Sequence, residues 1–268
     1  MAVIHNDFES INDRMNRKKH GAVKSCGISL VVSMVSFFLV FYSGSIKIGT
    51  LNIKHDYVSY FFLFVSIFSL YLFYKKTKAY DTQKEIDLAG SIGESRALTY
   101  FQLLDNRFHV IPNAVLTHGE KRSEMDFIII GPTGVFITEV KNHRGYIYGN
   151  TGDQNLMQVK TDSYGNKFEK PFYNPCKQIS THRYTLNGVL SDFGIKVYID
   201  DCVLFASKEV SVNITKNDTS DCRIFTDGGE LINYIKSGDE YFSSHDISNA
   251  VNAVLANKGS QFREQTKI

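Results

Sequence analysis

The sequence predicts an α/β domain, with a mixed central sheet flanked by helices, preceded by a two-helix transmembrane hairpin. Three observations carry this prediction. Two long charge-free apolar runs lie near the N-terminus. From about Ala79 the periodicities follow the order helix, several strands, helix, strands, helices, which suits a mixed sheet flanked by helices. In the middle of that order, two apolar strand-like runs flank the turn Gly131-Pro132-Thr133-Gly134.

The charge-free runs are Cys26 to Tyr42 and Tyr57 to Tyr74. Each is about the ~17–25 residues that a helix needs to cross a hydrocarbon core. Tyrosines lie at their ends, where amphipathic rings prefer the headgroup level. Helices that are apolar all round at this length need lipid or a very large core. The first run has no small-residue cleavage site, and a second span follows closely, so an anchor fits better than a signal peptide. Arg14, Arg17, Lys18, Lys19 and Lys24 precede the first run, Lys75, Lys76 and Lys78 follow the second, and only Lys47 and Lys54 lie between. The bias places both ends in the cytoplasm. The chain thus divides into a cytoplasmic segment at 1–25, the hairpin at 26–78, and a domain at 79–268. The expected location is a cell membrane crossed more than once, such as a bacterial inner membrane, with both termini and the domain on the cytoplasmic side.

The net charge of +2 neither demands nor excludes nucleic acid, because a local basic groove fits inside a balanced total. Cys26, Cys176, Cys202 and Cys222 form no CxxC pair, which argues against a zinc site or a disulfide framework and predicts free thiols in a reducing compartment.

Within 79–268 the first predicted element is a helix around Ser91 to Leu104, with an apolar face of Ala97, Leu98, Phe101 and Leu104. Ser91-Ile92-Gly93-Glu94 reads as a capping box at its start. A strand interrupted by Pro112 follows, which marks it as an edge or bulged strand. The strands around "DFIII", "VFITEVK" and "GYIYG" come next, then a polar hairpin or excursion carrying a Tyr-Gly-Asn turn signal. A helix begins near Asn174-Pro175 and runs to about Leu190, with Pro at a first-turn position. Strands around "KVYIDDCVLFA", "VSVNI" and "CRIF" precede a helix that starts after Asp227. The last predicted helix is capped by Asp246 and ends near Gly259.

The central hairpin carries the chemistry. If Gly131 to Gly134 turns and Ile130 faces Val135, facing residues sum to 265 and Asp126 faces Glu139. Alternation then places Asp126, Ile128 and Ile130 on one sheet face with Val135, Ile137, Glu139 and Lys141. Two opposed carboxylates on a half-buried face repel. A shared proton, neutralisation by lysine, or a divalent cation would relieve them. Hard oxygen ligands with positions left for water and a phosphate suit Mg²⁺. A metal-free buried cluster, or acids lying in water at the sheet edge, is the competing reading of the same residues.

The segments "GSIGES" at Gly90, "EMDFIIIGPTGVFITEVKNHRGYIYG" at Glu124 and "NPCKQ" at Asn174 resemble the nuclease-related domain (NERD) family, which is placed with the PD-(D/E)XK, restriction-endonuclease-like nucleases. The resemblance covers roughly 90–190. The family often has a Trp after the fourth strand, and this chain has none, at a position read as packing. The resemblance implies that Asp126 and Glu139 ligate Mg²⁺ or Mn²⁺, with the Val140 carbonyl as a further ligand. It implies that Lys141 positions the attacking water, that Glu94 reaches the site as a second-metal or water ligand, and that Gln178 steadies Lys141 or a phosphate. The implied activity is metal-assisted phosphodiester hydrolysis on nucleic acid, DNA before RNA, by an enzyme tethered to a lipid bilayer. The alternative is a non-catalytic nuclease-like module that binds nucleic acid or a protein partner at the membrane. The lone histidines His118, His143 and His182 show no metal-ligand spacing, although His143 follows Lys141 by two residues and falls within reach of a phosphate. Arg144, Lys177 and Arg183 read as backbone contacts or as solvated surface.

Overall fold

The alternating aliphatics on either side of the Gly-Pro-Thr-Gly turn build the centre of a six-stranded sheet. The computed structural model describes residues 1–5, 31, 34–35, 46–48, 51–53, 55–217 and 221–265. Its strands are β1 (Val3–Ile4), β2 (Ile46–Ile48), β3 (Leu51–Ile53), β4 (His109–His118), β5 (Lys121–Gly131), β6 (Gly134–Lys141), β7 (Gly145–Asn150), β8 (Asn155–Thr161), β9 (Lys167–Tyr173), β10 (Ile199–Phe205), β11 (Val210–Thr215) and β12 (Arg223–Phe225). Its helices are α1 (His55–Phe101), α2 (Pro175–Asp192), α3 (Gly228–Lys236) and α4 (Ser244–Gln265).

The main sheet runs β1-β4-β5-β6-β10-β12 and is mixed: β4, β5 and β6 are antiparallel, while β1, β10 and β12 join in parallel. One face buries Ile128, Ile130, Val135 and Ile137 against α2 and α4. The other buries Phe127, Ile129, Phe136 and Val140 against Ala97 and Phe101 of α1 and Leu231, Ile232 and Ile235 of α3. Each fully buried aliphatic or aromatic side chain of this kind contributes about 1.5–3 kcal/mol. A second, four-stranded sheet, β11-β7-β8-β9, holds the predicted polar hairpin as β8 and β9.

The structure corrects several expectations. The transmembrane hairpin is not supported. Its first span, Cys26 to Tyr42, lies almost wholly outside the described residues. Its second lies in α1, and among the described residues no helix is long and apolar enough to cross a membrane. Neither Gly nor Pro interrupts the sequence from His55 to Ala89, so the apolar run continues into charged helix without a break. Ser91 therefore sits inside a 47-residue helix, where no start remains for its capping box to serve. The chain divides into two compact units, one of Met1–Asp7 with Gly90–Ile268 and one of Phe8–Ala89. The predicted division fell at Ala79, and the predicted N-terminal segment did not include β1, which extends the main sheet beside β4.

The thiols differ as well: Cys176 and Cys222 form a disulfide, and Cys202 alone is a free cysteine among the described residues. The predicted cap of α4 shifts by one turn. Ser243 and Asp246 bond reciprocally, with Asp246 N–H donating to Ser243 Oγ and Ser243 N–H to the Asp246 carboxylate, each at 3.2 Å. Asp246 is thus the inner member of a capping box. The helix also passes Gly259 and ends at Gln265. Helices α2 and α3 start where the sequence predicts, with Asn174 and Asp227 as their caps.

Candidate active site

The site lies where the β5–β6 hairpin opens. Backbone pairing runs from Gly131↔Gly134 to Phe127↔Thr138, which is the register expected from the turn. One step further, Asp126 would face Glu139, but the ladder does not continue. Instead Asp126 Oδ2 accepts the Val140 N–H at 2.8 Å, so a side-chain carboxylate stands in for a backbone carbonyl. The opposite flank of Asp126 is interrupted too. Pairing with β4 skips from Pro112↔Phe127 to Ala114↔Met125, because Pro112 has no N–H and Asn113 takes a left-handed φ of 49°. The Pro112-Asn113 pair is the sequence signal that marks this gap. Since the Lys141 carbonyl accepts the Ala206 N–H at 2.9 Å on the β10 side, alternation turns the carbonyl of Val140 toward β5 and Asp126.

Glu139 and Lys141 project to the α2 face. Lys141 Nζ donates to Glu139 Oε1 at 2.6 Å and to Gln178 Oε1 of α2 at 3.0 Å. The second Glu139 oxygen is buried without a hydrogen bond, with His182 Nε2 at 3.5 Å, beyond good bonding distance and itself without a hydrogen bond. Sequence reading gave His182 no role; its partner is remote in sequence, and only the fold of α2 across β6 brings them together.

The two acids are driven apart electrostatically. Burial, then the charge of Glu139, pushes the Asp126 carboxyl up to about 8; the Val140 N–H opposes this, and Glu94 adds to it. Burial also pushes Glu139 upward, but His182 and Lys141 together outweigh it and hold its carboxyl below the usual range. Lys141 thus neutralises Glu139, while burial and the Glu139 charge favour the protonated form of Asp126.

Glu94 lies on α1 within electrostatic reach of Asp126. Helix α1 comes this close because residue 93 is glycine; a Cβ there would stand 2.9 Å from Asn142 Cβ and 3.4 Å from Val140 Cγ1. Arg96, which sequence reading passed over, pins the same helix by donating to Asn142 Oδ1 at 3.2 Å and to the Ala206 carbonyl at 3.3 Å. His143 rests against Phe172 of β9, ring centroids 4.3 Å apart, and burial with three nearby lysines pushes its imidazole down to about 4. It is neutral near pH 7. Arg183 pairs with Asp201 at 3.3 Å and Asp221 at 4.0 Å, and Arg144 lies 3.8 Å from Glu209.

Among the described residues, no three His, Cys, Asp or Glu side chains converge in a group that could hold a metal. The donors at hand are two carboxylates and a backbone carbonyl. These are hard oxygen ligands, and one carboxylate oxygen is buried with no hydrogen bond. Mg²⁺ accepts such a partial set because it keeps several waters.

Residues 89–206 match the family model of the nuclease-related domain, NERD. The match supports such a domain over that stretch and suggests a nuclease-like function. An uncharacterized protein of Bacillus anthracis is 28% identical over 130 residues, which is 46% of this chain and 58% of the relative. The aligned part of the chain thus spans little more than half the length of that curated relative. No solved structure matches the chain.

Proposed function

We propose that this protein hydrolyses phosphodiester bonds of nucleic acid, DNA before RNA, at the open end of the β5–β6 hairpin. The observation that carries the reading is the Asp126–Glu139–Lys141 cluster, with Gln178 holding the lysine from α2. Asp126, Glu139 and the Val140 carbonyl would hold Mg²⁺ or Mn²⁺, and Glu94 would add a ligand to it or to its water. A divalent cation there supplies Lewis-acid activation and a more acidic water. Lys141, anchored at both Glu139 and Gln178, offers its ammonium to the attacking water and to the phosphate oxygens. Beyond Phe127↔Thr138 the strands β5 and β6 no longer pair, and a backbone phosphate would enter there.

A membrane tether belongs to the same proposal, with the catalytic unit on the cytoplasmic side. Its support is the predicted pair of charge-free runs and the exposed Tyr60, Phe61, Phe64, Ile67 and Phe68 of α1. Exposed apolar surface of this kind marks a partner or a lipid phase. Sedimentation of the full chain with lipid vesicles tests it; full recovery in the supernatant, without aggregation, would remove the tether.

The closed Lys141–Glu139 pair favours a second reading, a non-catalytic nucleic-acid-binding module. Cleavage of labelled DNA and RNA by the full chain, in Mg²⁺, Mn²⁺ and chelator, decides between them. Metal-dependent cleavage lost in Lys141→Ala supports the nuclease. Binding with no cleavage in any metal supports the module.

A further inference from the structure

We infer that the exposed end of one face of the β8–β9 hairpin, formed by Lys160, Phe168 and Lys170, is a track for single-stranded nucleic acid; this rests on the nuclease reading above.

The register places these side chains together. Pairing of Leu156↔Phe172, Gln158↔Lys170 and Lys160↔Phe168 sets all six residues on one face, which also carries Ile147 of β7 opposite Gln158. Near β7 that face is core: Ile147 and Leu156 are fully buried, and Phe172 packs against them. Further out it changes character. Phe168 is 46% exposed, Lys170 is exposed and Lys160 is half-buried. Along β9 the residues on this face are Phe168, Lys170 and Phe172, spaced about 6.6 Å apart by strand geometry. Aromatic and basic groups therefore alternate, and the row ends at His143, whose ring lies tilted against Phe172.

Lys141, Lys160 and Lys170 all lie within electrostatic reach of His143, two residues past Lys141. Among the described residues, no ion pair engages Lys160 or Lys170. The acid of the same strand, Glu169, is turned to the opposite face, where it accepts the Tyr148 hydroxyl at 2.8 Å. Lysines on an edge strand also block strand-to-strand aggregation. That role does not require them to gather on one face while the neighbouring acid is sorted to the other. Lys160 is held below its usual range by burial and by Lys170, a repulsion that a phosphate would relieve.

The occupant follows from the chemistry. Lysines in a row neutralise a phosphate backbone, and an exposed aromatic ring between them offers a stacking surface for a base. Phe168 can stack only on a base whose face is open, which selects a single strand over a duplex.

The test is binding of a fluorescent oligothymidine and of a matched duplex to the full chain in chelator, by anisotropy over a range of salt. Lys170→Glu should weaken single-strand binding about ten-fold or more and reduce the slope of log K against log salt by roughly 0.7, the loss of one phosphate contact. Phe168→Ala should weaken it about five-fold or more, with a smaller effect on duplex. Lys167→Glu makes the same charge change on the same strand but the opposite face, and should leave binding within about two-fold. Equal losses in Lys170→Glu and Lys167→Glu, no loss in Phe168→Ala, or stronger binding of duplex would overturn the track. Cleavage assayed on the same samples separates this inference from the one it rests on. Cleavage that is insensitive to Lys170 and Phe168 removes the track and keeps the nuclease. Binding that depends on both residues, without cleavage, keeps the track and removes the nuclease.

Discussion

The two ends of one hairpin differ in kind. At the turn end of β5 and β6, Ile128, Ile130, Val135 and Ile137 are fully buried and paired in register. At the open end of the same strands stand two acids and a lysine, Glu139 and Lys141 on the α2 face and Asp126 against the backbone of Val140, and the β5–β6 ladder has stopped. The site is thus the core hairpin carried past the point where pairing ends. The core packs on the first half, and the proposed chemistry lies in the second. Where the ladder ends, Asp126 bonds the backbone and the carbonyl of Val140 turns toward it, so the same break that weakens the sheet supplies the donors.

That division yields its sharpest test when each end is damaged in turn. Lys141→Ala should lower metal-dependent cleavage by about 10²–10⁴-fold, the range for a positioned proton-transfer group, in a protein that still folds but melts lower because buried Glu139 loses its partner. Asp126→Ala should abolish it with the fold equally intact. At the other end, Ile128→Ala should cost about 2–5 kcal/mol by denaturant unfolding while the folded fraction keeps its turnover. If Ile128→Ala removed activity without loss of stability, or Lys141→Ala unfolded the protein, the two halves would not be separate.

Smaller effects refine the open end. Gln178→Leu leaves Lys141 with Glu139 as its sole hydrogen-bond partner among those seen here, and should reduce cleavage roughly 10–100-fold, as loss of an orienting partner does. The pH dependence has a definite sign. The Asp126 carboxyl ionises near 3.8 when unfolded and near 8 when folded, so between those values the metal-free native state holds the additional proton. Stability then falls as pH rises through that window. Asp126→Asn should flatten that fall in a series of melting curves in chelator; an unchanged slope would show that Asp126 is ionised in the native state.

How much of this could be read from the sequence depended on range. The hairpin register was legible because a Gly-Pro-Thr-Gly turn and strict alternation are local signals. The starts of α2 at Asn174-Pro175 and of α3 after Asp227 were legible for the same reason. The Cys176–Cys222 bridge was not, since its partners are 46 residues apart with no spacing to suggest a pair. His182 meets Glu139 only because α2 crosses β6. Composition changes at Lys75 while the helix runs on, and the two compact units divide at Gly90. Among the described residues, the apolar run at Tyr57 is one part of a long helix rather than a span of its own. The interruption at Asn113 had a signal, the preceding proline, but its consequence for Asp126 required the pairing of β4 with β5.

The central claim is that the open end of the hairpin holds a divalent cation. Calorimetric titration of Mg²⁺ and Mn²⁺ into the full chain, with Asp126→Asn as the comparison, tests it most directly. The account predicts binding by the wild type that tightens as pH rises toward about 8, as Asp126 gives up its proton, and no binding by the variant. Wild-type protein that takes up no metal, or a variant that binds it equally well, would contradict the account and leave the acids as a structural cluster around Lys141.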